Sequence, residues 1–323
     1  VSQGRKGHIG VGKETTFGTP VAAARYHRFR SEGIVTAIEE VTPPNILGVF
    51  DEGPTYQGLR THSGPIEFDA HPVILGDYLL SGAGPVTTTN LEVGVRWQHD
   101  FAPRQTEFSA DCIPQPLTLE VHRDLPGSNA FRFAGVGVNS MQFQFGVGNK
   151  ILGASVGAIA RSVAMIAPTT PVYEATRAFQ WREAVITLPD PTVESDIQDL
   201  TINIENGYEG KAYIDGTQDI RRIRSAGSRV VTCSGVALVK TAENTAFIGG
   251  SERYLKIVFT GAALGAGNFR LEFWFPRFRY TAYPIGIGGP DEVMVSFAGK
   301  AKYDPAVADT PFKIRLVNGL SAY

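Results

Sequence analysis

Residues 269–275 read Phe269-Arg270-Leu271-Glu272-Phe273-Trp274-Phe275, an alternation in which Phe269, Leu271, Phe273 and Phe275 surround Arg270 and Glu272. Successive side chains of an extended chain point to opposite faces, so a period of two describes a strand with one buried face. The pattern recurs outward from this stretch. Leu255, Ile257 and Phe259 alternate just upstream, and Leu200, Ile202 and Ile204 do so before them. In the first half, Met141, Phe143 and Phe145 alternate with Gln142 and Gln144, and Leu117, Leu119 and Val121 with Thr118, Glu120 and His122. Each is expected to be a strand buried on one side. The 36 glycines and 20 prolines punctuate the chain every few residues, which favours short strands over helices. The expected class is mainly antiparallel β.

One short helix is expected in each half. Pro72 suits a first helical turn, the pairs Ile74/Tyr78 and Leu75/Leu79 share a face, and Gly82 supplies a stop. Thr241 is expected to cap a second helix through Glu243 and Phe247, with Gly249 and Gly250 at its exit. This correspondence suggests a duplication, and the spacing supports it. Ser31 and Ser195, Ile38 and Ile202, Leu59 and Ile223, and Arg60 and Arg224 all lie 164 positions apart, and Ile66 and Val230 continue the register. Leu117 and Leu255, Leu119 and Ile257, Phe131 and Phe269, and Arg132 and Arg270 lie 138 apart, so the first copy holds 26 extra residues. The extra segment falls around 83–116, where Thr87 to Thr89, Trp97, Pro103 and Pro114 suggest an inserted loop or hairpin. The expected organisation is an N-terminal arm (1–30), a first domain (31–167) and a second domain (168–323), joined near Pro168, Thr169, Thr170 and Pro171.

Composition narrows the function. A net charge of -2 gives no basic excess for neutralising duplex phosphates. Cys112 and Cys233 have neither metal nor redox spacing, and no histidine, cysteine or carboxylate cluster has ligand spacing, so no cofactor or metal is expected. No apolar run approaches about 18 residues, and 1–30 lacks a continuous apolar core, so neither a membrane span nor a signal peptide is expected. Two catalytic strings fail in context. Gly7, Gly12 and Lys13 match part of a phosphate loop, but Glu14 stands where a hydroxyl should meet magnesium and no apolar strand precedes Gly7. Gly153-Ala154-Ser155-Val156-Gly157 matches a nucleophile elbow, yet His8, His27, His62, His71, His99 and His122 all precede Ser155, the wrong order for that fold. An enzyme is not expected.

The string Gly10-Val11-Gly12-Lys13-Glu14-Thr15-Thr16-Phe17-Gly18-Thr19-Pro20-Val21 resembles the opening of phage tail tube (major tail) proteins of long, non-contractile, siphovirus-type tails. Ser31-Glu32-Gly33-Ile34 extends the similarity, as do Gly58-Leu59-Arg60 and Gly64-Pro65-Ile66-Glu67-Phe68; beyond the first third it is one of pattern. The resemblance implies a tail-tube fold, here duplicated, each copy a two-sheet antiparallel β-sandwich or barrel with one flanking helix. It implies a virion protein, assembled in the host bacterial cytoplasm, whose rings stack helically into a hollow tube. Six domains per ring then make the chain's length informative: three two-domain chains would close a pseudo-hexameric ring, with a hexamer of chains as the alternative.

The implied partners are further copies of the chain, the tape measure protein in the lumen, the tail terminator and distal tail proteins, and DNA in transient, non-specific passage at genome ejection. A wall of carboxylates and neutral groups would not hold phosphates, so Glu39, Glu40, Glu67, Asp69 and Glu205 are candidate lumen residues. Arg25, Tyr26, Arg28, Phe29 and Arg30 form a basic and aromatic cluster on the arm, a candidate contact between rings. The inserted segment is either a surface loop or another such contact. Competing classes are another virion β-protein (capsid decoration or baseplate component) and a carbohydrate-binding or hydrolytic β-protein.

Overall fold

The alternating stretches are strands in the computed structural model, which describes residues 6–323 other than 46–47, 49–50, 126, 128, 190, 288–290, 304 and 306–309. Residues 1–5 of the expected arm therefore lie outside the described residues. The first half runs β1 (His8–Lys13), β2 (Arg25–His27), β3 (Ser31–Glu32), β4 (Val35–Val41), β5 (Tyr56–Asp69) and α1 (Leu75–Gly82). It continues with β6 (Val86–Glu92), β7 (Arg96–Phe101), β8 (Leu117–His122), β9 (Ala130–Gly146), β10 (Gly153–Ala160) and β11 (Ser162–Ile166). The second half begins with β12 (Ala184–Thr187), β13 (Val193–Glu194), β14 (Ile197–Glu205), β15 (Tyr208–Lys211), β16 (Arg222–Ser225) and β17 (Val230–Leu238). It ends with α2 (Thr241–Ile248), β18 (Arg253–Leu264), β19 (Gly267–Ala282), β20 (Met294–Ala301) and β21 (Lys313–Asn318). Every ladder between these strands is antiparallel.

The two halves meet on one strand pair. The first part of β9 is held by β8 and β11, and its second part by β10 on one side and β14 on the other. The β9–β14 ladder sets Met141 opposite Ile204, Phe143 opposite Ile202 and Phe145 opposite Leu200. One sheet surface therefore runs through seven strands in the order β5, β10, β9, β14, β17, β20, β19. In register across it lie Phe68, Ala154, Phe143, Ile202, Cys233, Gly299 and Tyr280, all buried. Gly299 is glycine for want of room: a Cβ there would come within 2.2 Å of the Phe278 ring. The aromatic residues of β18 and β19 cover this face, with Phe143 against Phe273 at 4.9 Å and Phe145 against Phe259 at 4.8 Å between ring centres. Helix α1 closes its other end, buried along its whole length, with Tyr78 on Phe68 and Gly82 pressed against Met141 and Val138.

Several local expectations change. Helix α1 starts at Leu75, so Pro72 lies in the turn before it; the Glu174 carboxylate, from the connector, accepts the Val73 and Ile74 N–H groups. Such an anion complements the positive end of a helix. Lys240, not Thr241, holds the cap position of α2, and Gly250 (φ 63°) takes the left-handed exit. Strand β8 is buried on both faces because it lies between β1 and β9 and beneath the connector. Glu120 is thereby enclosed, accepting from the Thr169 N–H and hydroxyl and meeting His8. Glu272 is buried likewise, accepting from Trp274 Nε1 and ion-paired with Arg270. Residues 83–116 contain the β6–β7 hairpin, and β7 joins β21 at the far end of the chain. Nor is the arm detached: β1 pairs with β8 along its whole length.

Truncating a fully enclosed aromatic side chain forfeits its contacts and leaves a void, so Phe143→Ala is expected to cost about 3–5 kcal/mol. Chemical denaturation of the protomer measures it. A cost like that of a surface substitution would show that the seam between the halves is not packed as described.

Candidate assembly face

The reverse side of the seven-strand surface is polar. Glu67, Ser155, Gln142, Asn203, Thr232, Lys300 and Arg279 form one row in register. Ser31 of β3 extends the row past Glu67 and donates its hydroxyl to Glu67 Oε2 at 2.8 Å. A parallel row contains Asp69, Gly153, Gln144, Thr201, Ser234 and Ala298, and another Pro65, Gly157, Ser140, Glu205 and Val230. Within these rows the four central strands carry one charge, that of Glu205. Charge gathers at the two ends instead, acidic at Glu67 and Asp69 and basic at Lys300 and Arg279.

Both ends of the surface are open. The register pairs β3 with β5 alone. At the other end β18 stops at the Arg253–Phe278 pair, so residues 279–282 of β19 keep β20 on one side and no described strand on the other. The corresponding part of β9 is the part that β14 covers.

Glu67, Asp69 and Glu205 thus share the polar face, while Glu39 and Glu40 lie off it on β4. All seven residues of β4 are exposed, and its hairpin with β5 shows Val35 (61% exposed), Ile38 (48%), Val41 (43%) and Tyr56 (63%) to solvent. Apolar strands this bare are uncommon in proteins that stay single. Residues 35–59 contain Glu39, Glu40, Asp51 and Glu52 and no lysine or arginine.

The five arm residues are each engaged within the chain. Arg25 donates to Asp77 at 3.1 Å and stacks on Tyr323, Tyr26 bonds Thr169, and Arg28 stacks on Tyr173. Phe29 packs on the core and Arg30 donates to Asp69 at 2.7 Å, leaving Arg28 and Arg30 exposed. Lysine 300, Arg279 and the neutral row between the edges escaped sequence reasoning. The polar partners of each alternation, such as Gln142 with Gln144, were the available signal.

The two catalytic look-alikes have structural roles. Gly7 precedes β1, and Gly12 lies within it, where a Cβ would stand 2.6 Å from the Ala22 carbonyl oxygen. Glu14 is buried and accepts from the Gly18 and Gly135 N–H groups and the Thr118 hydroxyl. Ser155 sits in mid-strand between Glu67 and Gln142, away from any strand-to-helix turn. Cys112 and Cys233 are buried free thiols.

The geometry defines an antiparallel β protein whose polar sheet face is bounded by two open edges. A family model described as phage tail tube protein matches residues 4–301, and the chain belongs to that family, whose members are structural components of the virion tail. No curated protein matches the chain significantly.

Buried ionisable groups cluster where the arm, α1 and the connector meet. Burial raises the Asp77 carboxyl to about 7 against the pull of Arg25 and Lys13, and raises Glu174 to about 7 against its two N–H bonds. Burial lowers His27 to about 4. The raised carboxyls contribute stability that is complete below pH 4 and lost as pH rises through about 7; His27 contributes stability present above its unfolded value and lost as pH falls through about 4. Asp77→Asn is therefore expected to flatten the fall in melting temperature between pH 5 and 8. An unchanged slope in thermal scans would show that Asp77 does not titrate there.

Proposed function

We propose that the chain assembles with copies of itself into stacked rings that form the hollow tail tube, and that DNA passes through the lumen into the host. The observation that carries this reading is the seven-strand surface, dry on one face, neutral and polar on the other, and unpaired at both edges. A lumen lined by amides and hydroxyls offers phosphates no cations to bind along most of its width, and Glu67 and Glu205 repel them weakly, Asp69 being paired with Arg30. An open edge is a hazard in a solitary protein and a joint in a polymer.

The chain is read as two tube domains, 31–167 and 168–323, behind an arm at 1–30. The pairing order supports the division. β5, β10, β9, β8 and β1 are successive neighbours in the first half, as β17, β20, β19, β18 and β12 are in the second. A helix follows β5 in one and β17 in the other, and the β6–β7 hairpin has no counterpart between α2 and β18. Three chains then supply six domains to a ring.

Rings stack through the exposed β4–β5 hairpin, with Arg28 and Arg30 of the arm as further contacts. The tape measure protein occupies the lumen during assembly in the bacterial cytoplasm, and terminator and distal proteins close the ends of a non-contractile tail.

Negative-stain images of the purified protein at rising concentration test the reading: hollow tubes with threefold rings are expected, and a lone protomer at every concentration would overturn it. Joint Val35→Lys and Ile38→Lys substitutions should leave protomer stability within about 0.5 kcal/mol yet stop tube growth at single rings. Full-length tubes from that variant would remove the hairpin from the stacking contact.

A further inference from the structure

The seam inside the chain specifies how a seam between chains would register. At the internal seam Gln142 of β9 lies opposite Asn203 of β14, which lies opposite Thr232 of β17. At the open edges Arg279 occupies the place of Gln142, paired with Lys300 as Gln142 is with Ser155, and Ser31 occupies the place of Asn203, paired with Glu67. Repeating the seam sets Arg279 opposite the partner's Ser31. The partner's Glu67 is then two strand spacings away, about 10 Å between backbones, which an arginine and a glutamate side chain span together.

The charges at these edges are unsettled in the single chain. Arg279 and Lys300 face each other directly across β19 and β20, and like charges in that relation repel. Both are exposed, and neither has an ion-pair partner among the described residues. The Arg279 guanidinium reaches Gly250, three residues before β18, and so leans toward the unpaired side of β19. Glu67 is exposed, with the Ser31 hydroxyl as its hydrogen-bond donor.

We propose, on the tube reading, that Arg279 of one copy forms an ion pair with Glu67 of the next, that Lys300 one strand behind raises the positive charge of that edge, and that this pairing selects the register of the seam. A slip of one residue would turn the apolar face outward. A slip of two would set Arg279 beside Asp69, which Arg30 already neutralises, or beside Gly33 and Pro65, which carry no charge. Only the unslipped pairing joins the uncompensated Arg279 to an uncompensated carboxylate. The internal seam needs no such device, since its strands belong to one chain, and its row is neutral.

Charge exchange tests the pairing. Arg279→Glu with Lys300→Glu, and separately Glu67→Lys, are expected to cut the mass of sedimentable tubes by about tenfold or more at low salt. The chain carrying all three substitutions should recover tubes, with circular dichroism and melting temperature checking that every variant folds. Wild-type levels of tubes from the single-edge variants, or folded triple-variant protein that stays unassembled, would overturn the proposal while leaving the tube reading intact. Absence of tubes from the wild-type chain would overturn the tube reading itself, and the pairing with it.

Discussion

The ladder between β9 and β14 is the constraint on which the rest of the structure depends. It pairs two strands that begin 67 positions apart, Ala130 and Ile197, and it merges the sheets of the two halves. Without it Leu200, Ile202 and Ile204 would have no wall to pack on, and Phe143 and Phe145 would lose one side of their surroundings. The contrast with β4 shows what the seam does. Strand β14 is paired on both edges and buries alternate side chains; β4 has β5 alone and buries none.

A sheet whose two faces differ this sharply constrains where charge can go. Three buried carboxylates are provided with partners: Glu14 with two backbone N–H groups and a hydroxyl, Glu120 with Thr169, and Glu272 with the Trp274 N–H and the Arg270 charge. Leaving any of them unpaired at that depth would cost more than its bonds return. On the open side the central strands carry no cation in the rows described and only scattered carboxylates, Asp199 and Glu205 of β14, and the edges concentrate charge with opposite sign. On the proposed tube reading, a wall that must let a polyanion slide and a joint that must find its register place different demands on one face, and the sequence separates them in space.

Much of this was legible from residue patterns. Alternation at Met141 to Phe145 and at Phe269 to Phe275 predicted both the strands and their apolar sides, the i,i+4 pairs predicted α1, and the segment around 83–116, expected as a loop or hairpin, contains the β6–β7 hairpin. What could not be read was partnership. That β7 joins β21 depends on contacts between distant segments, which local periodicity does not encode. Glu120 and Glu272 looked like solvated members of half-buried strands; their burial follows from neighbours that cover the second face. The opposition of Arg279 and Lys300, likewise, exists only once β19 and β20 are in register, so composition alone hid the basic edge. The arm's cluster of arginines and aromatics stood out in sequence, yet Asp69, Asp77, Thr169 and Tyr173 engage most of it within the chain.

A cryo-EM map of assembled tubes at side-chain resolution tests the central claim most directly. The account predicts three chains per ring and a wall in which β19 of each chain continues into β3 of its neighbour, in the register that joins β9 to β14 inside the chain. Six chains per ring, or a wall in which these two edges remain unpaired, would contradict it.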